Sequence, residues 1–294
     1  MNYRHEFHAG NFADVVKHAV LCRILAYLRE KPAPFRVIDT HAGSGLYDLT
    51  GPEAVRTGEW QNGIGRLLNA DATPEPAVLA MPEAARTLLA PYLDSIAALN
   101  PGGRLAIYPG SPMLVRALLR RHDRLIACEL EPQAAAALTA RLRGDARTKA
   151  IAIDGWTALS AYIPPKERRG LVLIDPPFEA PDEFSRLASA LAAAHRKWST
   201  GIFILWYAIK DDAEVTAFIR KLKRFAPAKT LRLELIAAKA STGSGLRGSG
   251  LIVVNPPWTL HDELQIMLPA LAGVLSRSGK AATRLDWVTD ETSR

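Results

Sequence analysis

The segment Gly170-Leu171-Val172-Leu173-Ile174-Asp175-Pro176-Pro177-Phe178 runs from an apolar stretch directly into a turn. An apolar run of this length is typical of a strand that is buried on both faces of a sheet. Two consecutive prolines cannot continue a central strand, so the chain must turn after Ile174. The turn places the Asp175 carboxylate, two backbone carbonyls and the Phe178 ring at the carboxyl end of a strand. Open α/β sheets bind their ligands at that edge.

The composition is that of an ordinary globular protein. The chain has 294 residues, of which 48% are hydrophobic and 23% charged, and it contains no apolar run long enough to span a membrane. Its two cysteines, Cys22 and Cys128, stand far apart in apolar surroundings, which predicts buried free thiols and a cytoplasmic location. The net charge of +7 is compatible with a nucleic-acid partner, although charge alone does not identify one.

Strand and helix patterns alternate along most of the chain, which predicts an α/β fold with a mostly parallel sheet. We expect seven strands in one domain covering residues 1–294. The range 51–101 differs, because it contains helical pieces without a buried strand, and it is predicted to be an inserted helical subdomain. Since the carboxyl ends of parallel strands share one edge, we expect one cleft there, outlined by His41, Glu129, Asp154 and Asp175.

A glycine-containing turn, His41-Ala42-Gly43-Ser44-Gly45, follows the first predicted strand. Glycines let the backbone approach a ligand and offer amide groups to it. The third glycine of the dinucleotide-binding fingerprint is absent, which argues against a nicotinamide enzyme. The other interpretation is a tight turn with a structural histidine at position 41.

Carboxylates also end two later strands. Glu129 could accept both hydroxyls of a ribose, or it could be a charge at the start of the following helix. Asp154, followed by Gly155, could accept from an exocyclic amino group, or it could be the N-cap of the next helix. The sequence leaves both choices open.

The turn at Asp175 suits methylation of an amino group on a planar base. The amino nitrogen of adenine is a weak nucleophile because its lone pair is delocalised into the ring. Acceptors placed beside its protons, here the Asp175 carboxylate and the Pro176 carbonyl, favour a more reactive nitrogen. Phe178 can stack on the base. The remaining task is in-line positioning of a methyl donor, so we expect no metal.

The proline motif occurs twice, since Asn255-Pro256-Pro257-Trp258 follows the apolar run Leu251–Val254. In a doubly wound sheet the fourth strand lies beside the first, whereas the last strand lies toward the far edge. We therefore predict that Asp175 is near the glycine turn and is the reactive copy, and that Asn255 is far from it.

The N-terminal segment from Tyr3 to Asn11 is rich in hydrogen-bonding and aromatic side chains. A helix is predicted from Asn11, its N-cap, to Arg29, and it carries Lys17 and His18. Because termini fray unless they are tied down, we expect this segment to fold over the cleft. The alternative is a surface arm.

Taken together, these motifs resemble the RlmJ family, bacterial methyltransferases that act on adenine N6 in large-subunit ribosomal RNA. The resemblance keeps the same order over nearly the whole chain. It rests on Tyr-Arg-His-x-Phe-His-Ala-Gly-Asn from Tyr3, Asp-Val-Val-Lys-His from Asp14, Asp-Thr-His-Ala-Gly from Asp39, Tyr-Pro-Gly-Ser-Pro from Tyr108, Arg-Arg-Gly-Leu-x-Leu-Ile-Asp-Pro-Pro from Arg168 and Asn-Pro-Pro-Trp from Asn255.

The resemblance implies a Rossmann-like methyltransferase fold that uses S-adenosylmethionine. The implied substrate is one adenine of 23S ribosomal RNA, flipped out of naked or partly assembled RNA. Cofactor contacts are implied for His18, His41, Gly43, Ser111, Glu129, Asp154, Gly155 and Asp175. Catalytic roles are implied for Asp175, Pro176, Phe178 and Lys17. Contacts with the substrate RNA are implied for Tyr3 and Phe178.

We further expect a monomer that binds neither a membrane nor a metal. One departure is visible, because a tyrosine stands in the family where this chain has Phe178. Stacking on a base survives that change, whereas a hydrogen bond from the phenolic hydroxyl does not.

Three alternatives remain at this level. The Asp/Asn-Pro-Pro-aromatic motif also serves methylation of DNA adenine and of protein glutamine, so another exocyclic-amino methyltransferase is the main one. The others are a nicotinamide enzyme and an RNA-binding module without catalytic activity. Methyl-transfer assays on ribosomal RNA, DNA and protein would separate the first alternative from the ribosomal RNA enzyme.

Overall fold

The structure, a computed structural model, describes residues 4–224, 227–237, 246–276 and 281–289. The strands in these ranges are β1 Arg36–Asp39, β2 Leu46–Asp48, β3 Ile107–Pro109, β4 Arg124–Glu129, β5 Thr148–Ala152, β6 Gly170–Ile174, β7 Ile202–Ile209, β8 Thr230–Ile236, β9 Gly248–Val254 and β10 Ala282–Thr289. The α-helices are α1 Phe12–Glu30, α2 Pro52–Thr57, α3 Pro76–Leu79, α4 Glu83–Ala97, α5 Ser111–Leu118, α6 Pro132–Leu142, α7 Gly155–Ala161, α8 Glu183–Lys197, α9 Asp212–Lys223 and α10 Leu260–Leu275. Short 3-10 turns occur at His5–Phe7, Glu59–Asn62 and Ile64–Arg66.

Eight strands form one sheet in the order β10-β8-β9-β7-β6-β1-β4-β5, and β2 pairs with β3 in a separate antiparallel ribbon. The predicted fold class is confirmed, but the sheet has one strand more than the seven expected. The extra strand is β10, which pairs antiparallel with β8. Four of the eight β10 residues are exposed and only Val288 is buried, as on many edge strands, so no apolar run marks it in the sequence.

Strand β1 lies between β6 and β4, and all three run parallel. Asp39, the last residue of β1, is in register with Leu173 of β6. The glycine turn after β1 and the proline turn after β6 therefore leave the sheet side by side. This arrangement confirms the predicted strand order.

The second proline motif lies at the end of the sheet where the parallel strands begin, opposite to the end that carries Asp175. Its strand, β9, runs antiparallel to β7, and Val254 at its end pairs with Phe203 near the start of β7. Asn255 is therefore far from Asp175, as predicted, but for a different reason. The prediction placed β9 toward the far edge of the sheet, whereas in the structure β9 runs in the opposite direction to β6 and β7, so its last residue lies at the other end of the strands. The Asn255 side-chain amide donates to the carbonyls of Ser199 and Gly201, both at 2.8 Å, which is a structural role.

Two apolar clusters cover the two faces of the sheet. In β6, Leu171 and Leu173 pack into one cluster, and Val172 and Ile174 pack into the other. This alternation follows from the two-residue period of a strand, and it explains why β6 reads as a continuous apolar run.

Helix α1 is buried almost all round, since fourteen of its nineteen residues are inside. The chain between β2 and β3 is mainly helical, in the range predicted to be an insertion, and its longest helix, α4, packs against α1. Leu89 and Tyr92 of α4 belong to the same apolar cluster as Leu171 of the sheet. None of the helices in the described ranges is both long and apolar enough to cross a membrane.

Candidate active site

A cavity of about 1500 Å³ is bordered by residues at the carboxyl ends of the parallel strands. Every predicted site residue that the structure describes borders it: Lys17, His18, His41, Gly43, Ser111, Glu129, Asp154, Gly155, Asp175, Pro176 and Phe178. The predicted RNA contact Tyr3 lies outside the described residues. Asp175, His41 and Glu129 thus share one hollow, as the strand order requires.

A buried lysine holds the Asp175 side chain. Lys17 Nζ donates to Asp175 Oδ2 at 2.5 Å and to Asp14 Oδ1 at 2.8 Å. In the described part of the chain, Asp175 Oδ1 accepts no hydrogen bond from the protein. One oxygen of Asp175 is therefore fixed by Lys17, and the other can accept from a ligand.

Sequence reasoning did not single out Asp14, although Asp14 and Lys17 stand three residues apart on one helix. Its Oδ2 accepts from the Gly10 backbone N–H at 2.9 Å and lies 3.0 Å from His5 Nε2. Because an ionised carboxylate only accepts, His5 Nε2 carries a proton in this contact. Asp14 therefore connects Lys17 with the N-terminal segment.

The charges in this network support one another. Burial acts against the charged form of Lys17, but the carboxylates of Asp14 and Asp175 outweigh it and raise the pKa of Lys17 above its usual range. Burial also acts against ionised Asp14, yet the charge of Lys17 and the contact with His5 hold the pKa of Asp14 well below its ordinary value. Lys17 is therefore an ammonium between two carboxyl groups.

The proline turn has a backbone conformation that side chains rarely adopt. Phe178 has φ of 53°, in the left-handed region, which costs free energy and is common at functional sites. Its ring lies 5.0 Å from that of Phe184 and 5.4 Å from that of Trp206, at interplanar angles of 66° and 82°. Since both neighbours meet it steeply, neither stacks face to face on Phe178.

Glu129 is positioned by backbone amides. Its Oε2 accepts from the Gly43 N–H, and its Oε1 accepts from the N–H groups of Leu130 and Glu131, all at 2.8 Å. Gly43 has φ of 60°, and a Cβ there would lie 2.1 Å from Tyr47 Oη, so only glycine fits. The glycine turn after β1 and the carboxylate after β4 therefore form one rigid unit.

The tautomer of His41 follows from its neighbour. The Thr40 hydroxyl donates to the Leu173 carbonyl at 2.9 Å, so it must accept from His41 Nδ1, 2.8 Å away. Burial lowers the pKa of His41 to about 4, so the ring is neutral and Nε2 is an acceptor. Nε2 faces Gly155, where a Cβ would approach it to 2.8 Å. The same Cβ would lie 2.3 Å from the Thr40 carbonyl oxygen, so Gly155 packs directly against the turn after β1.

Asp154 is the N-cap of α7, which was the alternative interpretation of this residue. Its Oδ2 accepts from the Thr157 N–H at 2.9 Å and from the Thr157 hydroxyl at 3.0 Å. The side chain also borders the cavity, so the cap does not exclude a ligand contact.

Asp39 was not among the predicted site residues. Its side chain is fully buried, and Oδ2 accepts from the Ser111 hydroxyl at 2.6 Å. Oδ1 is also buried and has no hydrogen-bond partner among the described residues. Burial raises the pKa of Asp39 to about 7, the Ser111 hydrogen bond opposes the rise, and the nearby charge of Asp175 adds to it.

His18 borders the cavity but is only 1% exposed. Its Nδ1 lies 2.7 Å from the hydroxyl of Tyr108, which in turn lies 3.0 Å from the hydroxyl of Tyr92. Burial lowers the pKa of His18 to about 3, so the ring is neutral. The hydrogen bond and the ring contact described for His18 are therefore with Tyr108, beside the helix that carries Lys17.

The N-terminal segment is tied to the helical range that follows β2. Arg4 donates to Glu53 at 3.1 Å, and both His8 Nδ1 and the Asn11 side-chain amide contact Glu59, at 3.1 and 3.0 Å. Hydrogen bonding to Glu59 raises the pKa of His8. Residues of this segment border the cavity beside the predicted site.

Comparison with known proteins identifies relatives along the full length of the chain. A family model described as "Ribosomal RNA large subunit methyltransferase D, RlmJ" matches residues 32–289. The Ribosomal RNA large subunit methyltransferase J of Escherichia coli is 37% identical over 291 residues, which are 99% of this chain and 100% of that protein. The protein of the same name from Haemophilus influenzae is 36% identical over 292 residues, with the same coverage.

A solved structure has the same fold. The crystal structure of protein LPL1258 from Legionella pneumophila superposes with a TM-score of 0.85 and 32% identity, covering 97% of this chain and 99% of that one. The family model and the two bacterial relatives cover most or all of the chain, and they agree with the motifs that resemble RlmJ. The chain therefore belongs to the RlmJ family of ribosomal RNA large subunit methyltransferases.

Proposed function

We propose that the protein transfers a methyl group from S-adenosylmethionine to N6 of one adenine in 23S ribosomal RNA. Membership of the family supports methylation of ribosomal RNA. The choice of the adenine amino group rests on one observation: Asp175 offers a carboxylate oxygen that accepts from none of the described residues, beside an aromatic ring at the edge of the cavity.

The residues present fit the cofactor. Gly43 and Gly155 border the cavity without a side chain, so their backbone can lie close to a ligand. Glu129, fixed by three backbone amides, can accept from ribose hydroxyls with its remaining lone pairs. When bound, the cofactor supplies an electrophilic methyl group.

Asp175 prepares the amino group for attack. With Oδ2 held by Lys17, Oδ1 and the Pro176 carbonyl can accept the two N–H groups of an adenine. These acceptors favour lone-pair density on nitrogen instead of in the ring, and they are fixed before reaction, so little reorganisation is needed. When the N–C bond forms, the nitrogen must lose a proton. Asp175 is the acceptor that we assign to it.

The target base must leave its stack to reach Asp175, which costs a few kcal/mol in a duplex and less in a loop. Phe178 offsets part of this cost by stacking on the base. Basic clusters outside the cavity, such as the run Arg220–Arg224, suit phosphates and supply affinity more than sequence choice. We expect the enzyme to act as a monomer on naked or partly assembled RNA.

Substitution of Asp175 tests the proposal. We expect Asp175→Ala and Asp175→Asn to lower the rate of methyl transfer by about 100-fold or more while RNA affinity changes little, because the carboxylate acts mainly in the transition state. The measurement is the N6-methyladenosine content of 23S ribosomal RNA from a deletion strain, incubated with enzyme and labelled cofactor. Asp182→Ala is the matched control, since Asp182 is exposed and does not border the cavity.

Parallel reactions with DNA and with total protein test the competing substrates. Methyl transfer to DNA or protein but not to ribosomal RNA would overturn the proposed substrate. A wild-type rate in the Asp175→Ala variant would overturn the proposed mechanism.

A further inference from the structure

The carboxyl-terminal end of β7 and the residue that follows it present three side chains to the cavity. Trp206, Ala208 and Lys210 stand at alternate positions, and all three border the cavity beside Phe178. Side chains two residues apart lie on the same side of a strand, and four residues of strand span about 13 Å. We call these three residues the β7 face.

Trp206 is held in a single orientation. Its indole Nε1 donates to the hydroxyl of Ser249 at 2.9 Å, and Ser249, on β9, is fully buried. The antiparallel pairing of β7 with β9 brings this hydroxyl to the indole. Since an indole has one donor and no acceptor, Trp206 has only aromatic surface left to offer to the cavity.

The rings of Trp206 and Phe178 are nearly perpendicular to each other and both border the cavity. Their ring centres are 5.4 Å apart, and their planes cross at 82°. A base lying flat on Phe178 would therefore meet the indole at about a right angle. Such edge-to-face contacts between aromatic rings are favourable. This corner suits a planar ring system whose amino edge points to Asp175.

Lys210 is a charge at the rim of the same face. It is exposed, its Nζ lies 3.4 Å from the Phe178 carbonyl, and within the described residues it makes no ion pair. Ala208, between Trp206 and Lys210, has almost no side chain. The β7 face thus runs from an aromatic ring, past a small residue, to an ammonium that has no carboxylate partner among the described residues.

We propose that the β7 face binds the extruded nucleotide. The base lies in the corner between Phe178 and Trp206, the ribose passes over Ala208, and Lys210 contacts a phosphate next to the base. This inference rests on the proposed function, because it places the substrate of the same site. It adds Trp206 and Lys210 as residues that bind the substrate.

The contact with Trp206 is tested with two RNAs that differ only at the methylated position, one with adenine and one with an abasic site. Trp206→Ala should weaken binding of the adenine RNA by between about twofold and tenfold and leave binding of the abasic RNA unchanged. Trp206→Phe, which keeps an aromatic wall, should stay within about twofold of the wild type. Trp258→Ala is the control, because Trp258 is 79% exposed and outside the cavity lining.

The contact with Lys210 is tested by the salt dependence of RNA binding. Lys210→Ala should weaken the binding of both RNAs by the same factor. It should also reduce the slope of log affinity against log salt by roughly 0.7 to 0.9, as expected for one lost phosphate contact. Lys149→Ala is the matched control, since Lys149 is an exposed lysine on β5 that does not border the cavity. It should leave the slope unchanged.

The outcomes separate this inference from the proposed function. If the wild type methylates ribosomal RNA but Trp206→Ala weakens the abasic RNA as much as the adenine RNA, Trp206 does not contact the base. If the salt slope of Lys210→Ala equals that of the wild type, Lys210 does not contact a phosphate. If the wild type does not methylate adenine in ribosomal RNA, the proposed function is wrong, and the inference that rests on it falls with it. Circular dichroism of each variant establishes that it is folded.

Discussion

The ionisation of Asp39 depends strongly on the fold. Burial raises its pKa from 3.8 to about 7, which corresponds to about 4 kcal/mol of preference for the neutral form in the folded state. A folded-state pKa above the unfolded one means that this group favours folding most strongly below pH 4. The contribution is lost as the pH rises through 7.

Asp39→Asn should therefore change how stability depends on pH. The amide cannot ionise, so the variant should gain stability relative to the wild type as the pH rises from 4 to 8, by up to about 4 kcal/mol. The measurement is the free energy of unfolding in urea, without cofactor, across that range. Parallel curves for the two proteins would contradict the assigned pKa of Asp39.

Ser111→Ala provides a second variant for the same residue. The Ser111 hydroxyl stabilises the charged form of Asp39, so its removal should move the loss of stability to higher pH. Unlike Asp39→Asn, this variant keeps the titrating carboxyl group, so the pH dependence should shift and not disappear.

Helix α1 is the element that organises the site, because it carries Asp14, Lys17 and His18 on a buried helix. Its N-cap is Asn11, whose Oδ1 accepts from the N–H groups of Ala13 and Asp14 at 2.9 and 3.0 Å. The Asn11 amide also donates to Glu59. One side chain thus sets the start of the helix and fastens it to the range after β2.

We expect Asn11→Ala to lower the free energy of unfolding by about 1 kcal/mol, as for other lost N-caps, and also to lower the methylation rate, because the start of α1 positions Asp14 and Lys17. Asp211→Ala is the matched control. Asp211 caps α9 in the same way but lies outside the cavity lining. Asp211→Ala should lower the free energy of unfolding by a similar amount without lowering the methylation rate. If both variants lowered the methylation rate equally, the role assigned to α1 would be wrong.

Elements with strong local patterns could be predicted from the sequence. Helix α1 and its cap, the buried strand β6 and its place beside β1 all followed from periodicity and chain order. Strand β10 was missed because an edge strand needs no apolar run, and β2 because three residues carry little pattern. The reversal of β9 depends on its neighbours and has no local signal.

The candidate site was predicted on the same basis. Residues at strand ends, such as Asp175 and Glu129, could be grouped because parallel strands share an edge. Asp14 and Asp39 could not, because their importance comes from contacts across the fold: one with Lys17 and His5, the other with Ser111. Trp206 looked like an ordinary strand residue until its angle to Phe178 was visible.

At the scale of the whole molecule, the range predicted to be a helical insertion shares its apolar core with the sheet. Leu89, Tyr92 and Ile96 of α4 are fully buried and belong to the cluster that contains Leu171. A common core favours cooperative unfolding. We therefore expect the range 51–101 to unfold together with the sheet, as a subdomain within a single domain.

Leu89→Ala tests this expectation. It should lower the free energy of unfolding by about 2–5 kcal/mol, the usual cost of such a cavity, and keep one transition by both circular dichroism and tryptophan fluorescence. Leu79→Ala, in the same range but 56% exposed, should change the free energy little. Two separate transitions would show that the range folds on its own.

The row of Asp14, Lys17 and Asp175 has a consequence for the reaction cycle. Two carboxylates around one ammonium leave the row with an excess of one negative charge. A sulfonium is positive and its demethylated product is a neutral thioether, so this excess attracts the donor only until transfer has occurred. The same electrostatics that favour loading should therefore favour release of the spent cofactor, and we expect the site to resist product inhibition.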